Sequence, residues 1–137
     1  MQFTDSHAHL ADDKVFPDVE GVVTRAGEAG VTTIVSVATG ADDARTCIQL
    51  AERFTGVYAT AGIHPHRAAE YDEDAIRDVR LLLDDARVVA VGETGLDYHY
   101  DFSPRDVQRL RSKLADQADW IETVRGFGYR FRTDPPQ

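Results

Sequence analysis

The chain has 137 residues, of which 42% are hydrophobic, enough for a domain with a working core. It has no apolar run long enough to span a membrane, no secretory signal in Met1-Gln2-Phe3-Thr4-Asp5, and a lone Cys47 that rules out an internal disulfide, so a cytoplasmic protein is expected. A net charge of −9 argues against nonspecific nucleic-acid binding but leaves open a phosphate substrate bridged by a metal ion.

Phe3-Thr4-Asp5 predicts a short first strand ending in Ser6-His7-Ala8-His9. Phe16, Val19, Val23 and Ala26 then recur at helical spacing, with Pro17 suited to a first turn and Gly30 to a stop. Residues 31–37 form a β-branched run of the kind a buried parallel strand shows. Ala44, Cys47, Ile48 and Ala51 make a second helical stripe. Val57-Tyr58-Ala59-Thr60-Ala61 reads as a third strand, ending in Gly62-Ile63-His64-Pro65-His66. Ile76, Val79 and Leu83 mark a third helix, and residues 88–92 a fourth strand that ends in Glu93. A fourth helix is expected from Ser103, with Pro104 in its first turn and Val107, Leu110 and Leu114 along its stripe. Such alternation specifies βα units on a parallel sheet. Beyond Asp116 the pattern changes: residues 120–124 and 129–132 predict a β-hairpin around Arg125-Gly126-Phe127-Gly128.

The polar clusters fall just after strands, the face where parallel α/β folds build their active sites. Residues two apart on an extended segment point the same way, so His7 and His9 can reach one metal ion, with Asp5 placed to orient one of them. The same pair would also suit an ordinary surface loop. Glu93 adds weight to the metal, because an acid at the end of an apolar strand is costly unless paired or bound to a cation. His64 and His66 end the strand between.

Asp5-Ser6-His7-Ala8-His9-Leu10, Gly62-Ile63-His64-Pro65-His66 and Gly92-Glu93-Thr94-Gly95-Leu96-Asp97-Tyr98 together resemble the N-terminal signatures of the TatD family of metal-dependent deoxyribonucleases. Asp101-Phe102-Ser103-Pro104-Arg105-Asp106-Val107-Gln108 resembles that family's next helix start. The resemblance implies an α/β fold of the TIM type, here a partial β/α barrel of about four βα units on a parallel sheet. It also implies two divalent ions and hydrolysis of phosphodiester bonds in DNA. His7 and His9 would ligate one ion, Glu93 would bridge, and His64 would sit by the substrate phosphate. His66, Asp97 and His99 are weaker candidates, and for His66 and His99 a structural role is preferred. In the family, four further βα units supply two more histidine ligands and an aspartate base. No histidine follows His99 here, and a full barrel needs roughly 250 residues, so the catalytic base is unknown and activity of the chain alone is in question.

The tail is different in charge. Residues 1–105 carry 9 Lys/Arg against 19 Asp/Glu, whereas residues 106–137 carry 6 against 5. Residues 109–132 resemble the end of an OmpR-type winged-helix DNA-binding domain, the second half of its recognition helix and its wing. That resemblance gives Arg109, Arg111, Lys113, Thr123 and Arg125 as DNA contacts. The expected division is 1–108, a truncated barrel half, and 109–137, a helix end and wing-like hairpin. A natural fusion, an assembly error and a deliberate chimera would all give this pattern. Three readings follow: a TatD-like hydrolase, a DNA-binding module, and an inactive fragment. Self-association is the expected way to cover an open half-barrel.

Overall fold

The computed structural model describes residues 1–95, 102, 121–124 and 128–131. Strands β1 (Phe3–Ala8), β2 (Val31–Ser36), β3 (Val57–Ala61) and β4 (Val88–Val91) pair in parallel and lie in chain order across one sheet. Helices α1 (Val19–Glu28), α2 (Ala41–Arg53) and α3 (Glu73–Leu82) make the crossovers. The β/α alternation expected from the sequence is therefore the architecture observed.

Local chemistry sets the boundaries. Gly30 ends α1 with φ of +91°, a conformation an L side chain resists. Asp42 and Asp43 lie in the first turn of α2, where carboxylates complement the helix dipole. Asp72 caps α3 by accepting the Ala75 N–H at 3.0 Å. Two boundaries differ from expectation. Phe16 and Pro17 belong to a short 3₁₀ turn, Phe16–Asp18, and α1 starts only at Val19. The first strand does not stop at Asp5 but runs on to Ala8, because Ala8 pairs with Ser36 and its carbonyl accepts from Val37 N at 2.8 Å. His7 thus lies inside β1 rather than after it.

Two apolar clusters fasten the helices to the sheet. Leu10, Val19, Ile34, Leu50 and Val57 form one, joined by Val22, Val23 and Ala26 of α1. Ala38, Ala44, Cys47, Ile48, Ala59, Ala61, Ile63, Ile76 and Val79 form the other, between β3, α2 and α3. The run of alanines lets α2 sit close to β3. Burying a side chain the size of Ile63 stabilises the fold by about 1.5–3 kcal/mol. Cys47 is fully buried, with Sγ 3.1 Å from the Ser36 hydroxyl. Burial above all, with Asp43 adding to it, pushes its thiol up from its ordinary range despite the opposing Ser36 bond.

The strand tips are tied together past the ends of the ladders. His64 N–H donates to Thr39 O at 3.0 Å, Gly92 N–H to Ala61 O at 3.0 Å and Glu93 N–H to Ala38 O at 2.8 Å. This stitching fixes the face on which the histidines and Glu93 stand.

In the tail, β5 (Ile121–Val124) and β6 (Gly128–Phe131) pair antiparallel with Thr123 opposite Tyr129, the hairpin the sequence predicts. The expected fourth helix lies outside the described residues, as do Arg109, Arg111, Lys113 and Arg125. Among the described residues no helix is long and apolar enough to cross a membrane.

Candidate metal centre

His7 and His9 alternate along the end of β1, and their rings meet edge to face with Nε2 atoms 3.2 Å apart. Glu93, just past β4, brings Oε2 to 3.7 Å from His7 Nε2 and 3.8 Å from His9 Nε2. His64, just past β3, has Nε2 at 3.8 Å from Glu93 Oε1. Three of the expected residues therefore converge as a donor group, and the fourth stands beside it.

The donors suit a divalent ion. A tetrahedral ion with bonds of about 2.0–2.1 Å sets neighbouring donors about 3.4 Å apart. The separations of 3.2, 3.7 and 3.8 Å fall around that value. Every ion pair of Glu93 among the described residues is with a histidine, so no lysine or arginine takes the place of a cation there. The carboxylate is only about a third exposed, a position that favours a bound counter-charge.

Hydrogen bonds divide the histidines by role. His9 Nδ1 lies 3.0 Å from the Val37 carbonyl, which can only accept, so the ring proton belongs on Nδ1 and Nε2 presents a lone pair toward Glu93. His64 is wired in the opposite sense. Its Nδ1 accepts the His66 backbone N–H at 3.1 Å, which assigns the proton of the neutral ring to Nε2. His9 thus presents a lone pair at Nε2, and His64 an N–H. Asp5 does not orient a ring as expected: its Oδ1 accepts the His7 backbone N–H at 3.0 Å, an Asx turn that shapes the chain instead.

Glu93 is held by residues the sequence did not single out. Thr60 is 4% exposed; its hydroxyl donates to Gly92 O at 2.6 Å and accepts from Ala38 N–H at 3.1 Å. It joins the tips of β2, β3 and β4 through the residues on either side of the Glu93 backbone contact. Gly62 allows β3 and β4 to close up, since a Cβ there would lie 2.6 Å from the Gly92 carbonyl carbon. A polar residue in an otherwise apolar strand was the available signal for Thr60.

A second missed group anchors the loop that carries His64. After β3 the chain enters a 3₁₀ segment, Pro65–Glu70, started by its proline. Arg67 in that segment donates to Thr39 Oγ1 at 3.2 Å and to Glu70 at 3.2 Å, and lies over the Tyr71 ring. Thr39 in turn bonds Asp43 at the start of α2. His66 packs edge-on against His64 with ring centroids 4.5 Å apart. Asp97 and His99 lie outside the described residues.

Comparisons with known proteins place the chain in a family. Residues 4–114 match the family described as TatD related DNase. The chain is 36% identical over 113 residues to the uncharacterized metal-dependent hydrolase YabD of Bacillus subtilis, covering 81% of this chain and 44% of that protein. It is 37% identical over 118 residues to the 3'-5' ssDNA/RNA exonuclease TatD of Musicola paradisiaca, covering 84% and 45%. The crystal structure of YjjV, a TatD homolog from Escherichia coli, superposes with a TM-score of 0.72 at 33% identity, over 85% of this chain and 48% of that one. A TatD family hydrolase from Entamoeba histolytica gives 0.71 at 29% identity, over 88% and 48%. The chain spans about half the length of the relatives it matches.

Proposed function

The chain belongs to the TatD related DNase family, and from that premise we propose that it serves metal-dependent hydrolysis of phosphodiester bonds in DNA. The observation that carries the proposal is the convergence of His7, His9 and Glu93, with His64 turned toward the same carboxylate. In this reading His7, His9 and Glu93 hold a divalent ion. Bound there, the ion would supply Lewis-acid stabilisation of phosphate charge and a water activated for attack. His64 donates its Nε2–H to a phosphate oxygen, its tautomer held by the His66 N–H. Thr60 and Ala38 keep Glu93 in place through backbone contacts.

One set of donors is gathered among the described residues, whereas the family resemblance implies two ions. The identity of the ion is left to experiment, because mixed imidazole and carboxylate donors accept several divalent metals. The test is release of nucleotides from an end-labelled single-stranded oligonucleotide with Mn²⁺ or Zn²⁺. Cleavage should stop with chelator and fall at least about 100-fold in His64→Ala, the size of losing one positioned donor to the developing charge. Cleavage indifferent to chelator would refute the proposal.

The tail has its own reading, and the β5–β6 hairpin favours it. Residues 109–137 would form a separate unit that binds duplex DNA through Arg109, Arg111, Lys113, Thr123 and Arg125, beside a unit of residues 1–108. Binding should weaken steeply with salt, because it rests on phosphate neutralisation. Duplex affinity that survives replacement of all four basic residues by alanine excludes this role. Self-association is also proposed, because β1 and β4 are the outer strands of the described sheet and β1 is exposed from Phe3 to His7. Light scattering should give a mass above that of one chain; a monodisperse monomer would end that idea.

A further inference from the structure

We propose that Thr39, clamped between Arg67 and Asp43, positions His64 for the substrate phosphate. The inference rests on the hydrolase reading above and goes beyond it by naming residues that act on the reaction without touching substrate. The segment after His64, Pro65–Glu70, has little to hold it. It is a 3₁₀ turn, whose hydrogen bonds are poorer than those of an α-helix, and none of its residues is buried. Yet His64 has to stand still if it is to meet a phosphate beside Glu93, whose Oε1 lies 3.8 Å from its Nε2. A misplacement of about 1 Å at such a group can cost about 100-fold in rate.

A closed ring of hydrogen bonds supplies the hold. His64 N–H donates to Thr39 O at 3.0 Å, and His64 O accepts from Arg67 N–H at 2.9 Å. The Arg67 side chain then returns to the start, its Nη1 donating to Thr39 Oγ1 at 3.2 Å. Both backbone groups of His64 are thus fixed, and one contact between side chains closes the ring. Asp43, in the first turn of α2, braces that contact. Its Oδ2 accepts the Thr39 hydroxyl and, at 3.3 Å, the Thr39 N–H, and it lies 3.7 Å from Arg67 Nη1. The hydroxyl therefore accepts from a guanidinium and donates to a carboxylate, and hydrogen bonds with a charged partner are the strong ones. Arg67 is aligned by a second bond, from Nε to Glu70 at 3.2 Å, and by lying over the Tyr71 ring. Gly40 makes room, since a Cβ there would collide with the Tyr71 hydroxyl and stand 3.1 Å from Arg67 Nη1. Asp43 and Thr39 by themselves would serve only to start α2. The return of Arg67 from the next crossover is what ties them to His64.

The probe is a phosphorothioate dinucleotide, which resists hydrolysis, titrated by calorimetry into the full chain in Mn²⁺. Thr39→Val keeps the shape and removes the hydroxyl. Arg67→Met keeps the stem over Tyr71 and removes the fork, and it carries the test should Thr39→Val fail to fold. Each should weaken probe binding about tenfold, close to the loss in His64→Ala and the size of one hydrogen bond to a charged group. Thr39→Ser should restore the parent affinity. In a His64→Ala background neither change should weaken binding further, because its effect passes through that ring. Mn²⁺ uptake without the probe should match the parent in every variant, since all these residues lie outside the donor group. A residue that only supports the loop or α2 would lower the melting midpoint and leave probe affinity unchanged while the chain is folded. Parent affinity in Thr39→Val and Arg67→Met, or losses that add to that of His64→Ala, overturns the positioning role and leaves the hydrolase reading intact. A parent that takes up Mn²⁺ and does not bind the probe overturns both.

Discussion

Glu93→Gln is expected to abolish the stabilisation that a divalent ion gives to the folded chain. An ion that binds only the folded state, present at 100 times its dissociation constant, adds about 2.7 kcal/mol. For a domain of this size that corresponds to a rise in melting midpoint on the order of 10 °C. The variant should rise by no more than about a fifth of that. Glutamine keeps the shape of glutamate but brings no charge, and Glu93 is the only carboxylate in the donor group with His7 and His9. In chelator the two proteins should melt close together, because Glu93 is partly exposed and its ion pairs among the described residues are with histidines alone. That match separates loss of the ion from damage to the fold. The same rise in parent and variant would show that the ion binds elsewhere.

The melt also bears on whether the described βα units hold their site unaided. The donors come from β1 and from the end of β4, the two outer strands of the sheet. An ion shared between them would tie the sheet across its width. Metal and fold are then coupled in both directions, as when a site forms only in the folded chain.

Much of this was legible in the residues because it follows from local chemistry. The β-branched run beginning at Val31 and the apolar runs at Val57 and Val88 are strands in the structure, and the glycine after α1 stops it as expected. His64 and Glu93 were legible because each follows an apolar run, where a polar group has few structural reasons to be, and His7 and His9 because their spacing of two suits one ion. What was not legible depends on which tips are neighbours. Ser6 and His7 do not look like strand residues, yet pairing with β2 carries the strand through them, so tertiary contact overrides composition. The Val37 carbonyl that fixes the His9 tautomer comes from the residue just past β2, and a backbone acceptor leaves no mark in a sequence. The His66 N–H that bonds His64 Nδ1 is only two residues away, yet a backbone donor is equally unmarked. No apolar period runs through residues 65–70; proline and the Arg67 contacts shape them instead.

Thr60 is where fold and site meet, and Thr60→Val should show it. The substitution keeps volume and β-branching and removes one hydroxyl. Two groups then lose a partner: Gly92 O, which accepts from that hydroxyl at 2.6 Å, and Ala38 N–H, which donates to it at 3.1 Å. Ala38 is fully buried, so water cannot substitute. Each unsatisfied buried group costs about 1–3 kcal/mol, so a loss of about 2–4 kcal/mol is expected, a large fraction of a domain's stability. The second effect is at the metal. Gly92 precedes Glu93, and Ala38 O accepts the Glu93 N–H at 2.8 Å, so both freed groups flank Glu93. Loss of such supporting contacts weakens metal binding typically 10- to 100-fold. Thr60→Ser keeps the hydroxyl and gives up a methyl group, and it should recover most of the metal affinity while remaining slightly less stable than the parent. Calorimetric titration of Mn²⁺ into the three proteins, below the melting range of the weakest, separates the two effects. If Thr60→Val unfolds more easily but binds Mn²⁺ as the parent does, Thr60 supports the sheet and has no part in placing Glu93.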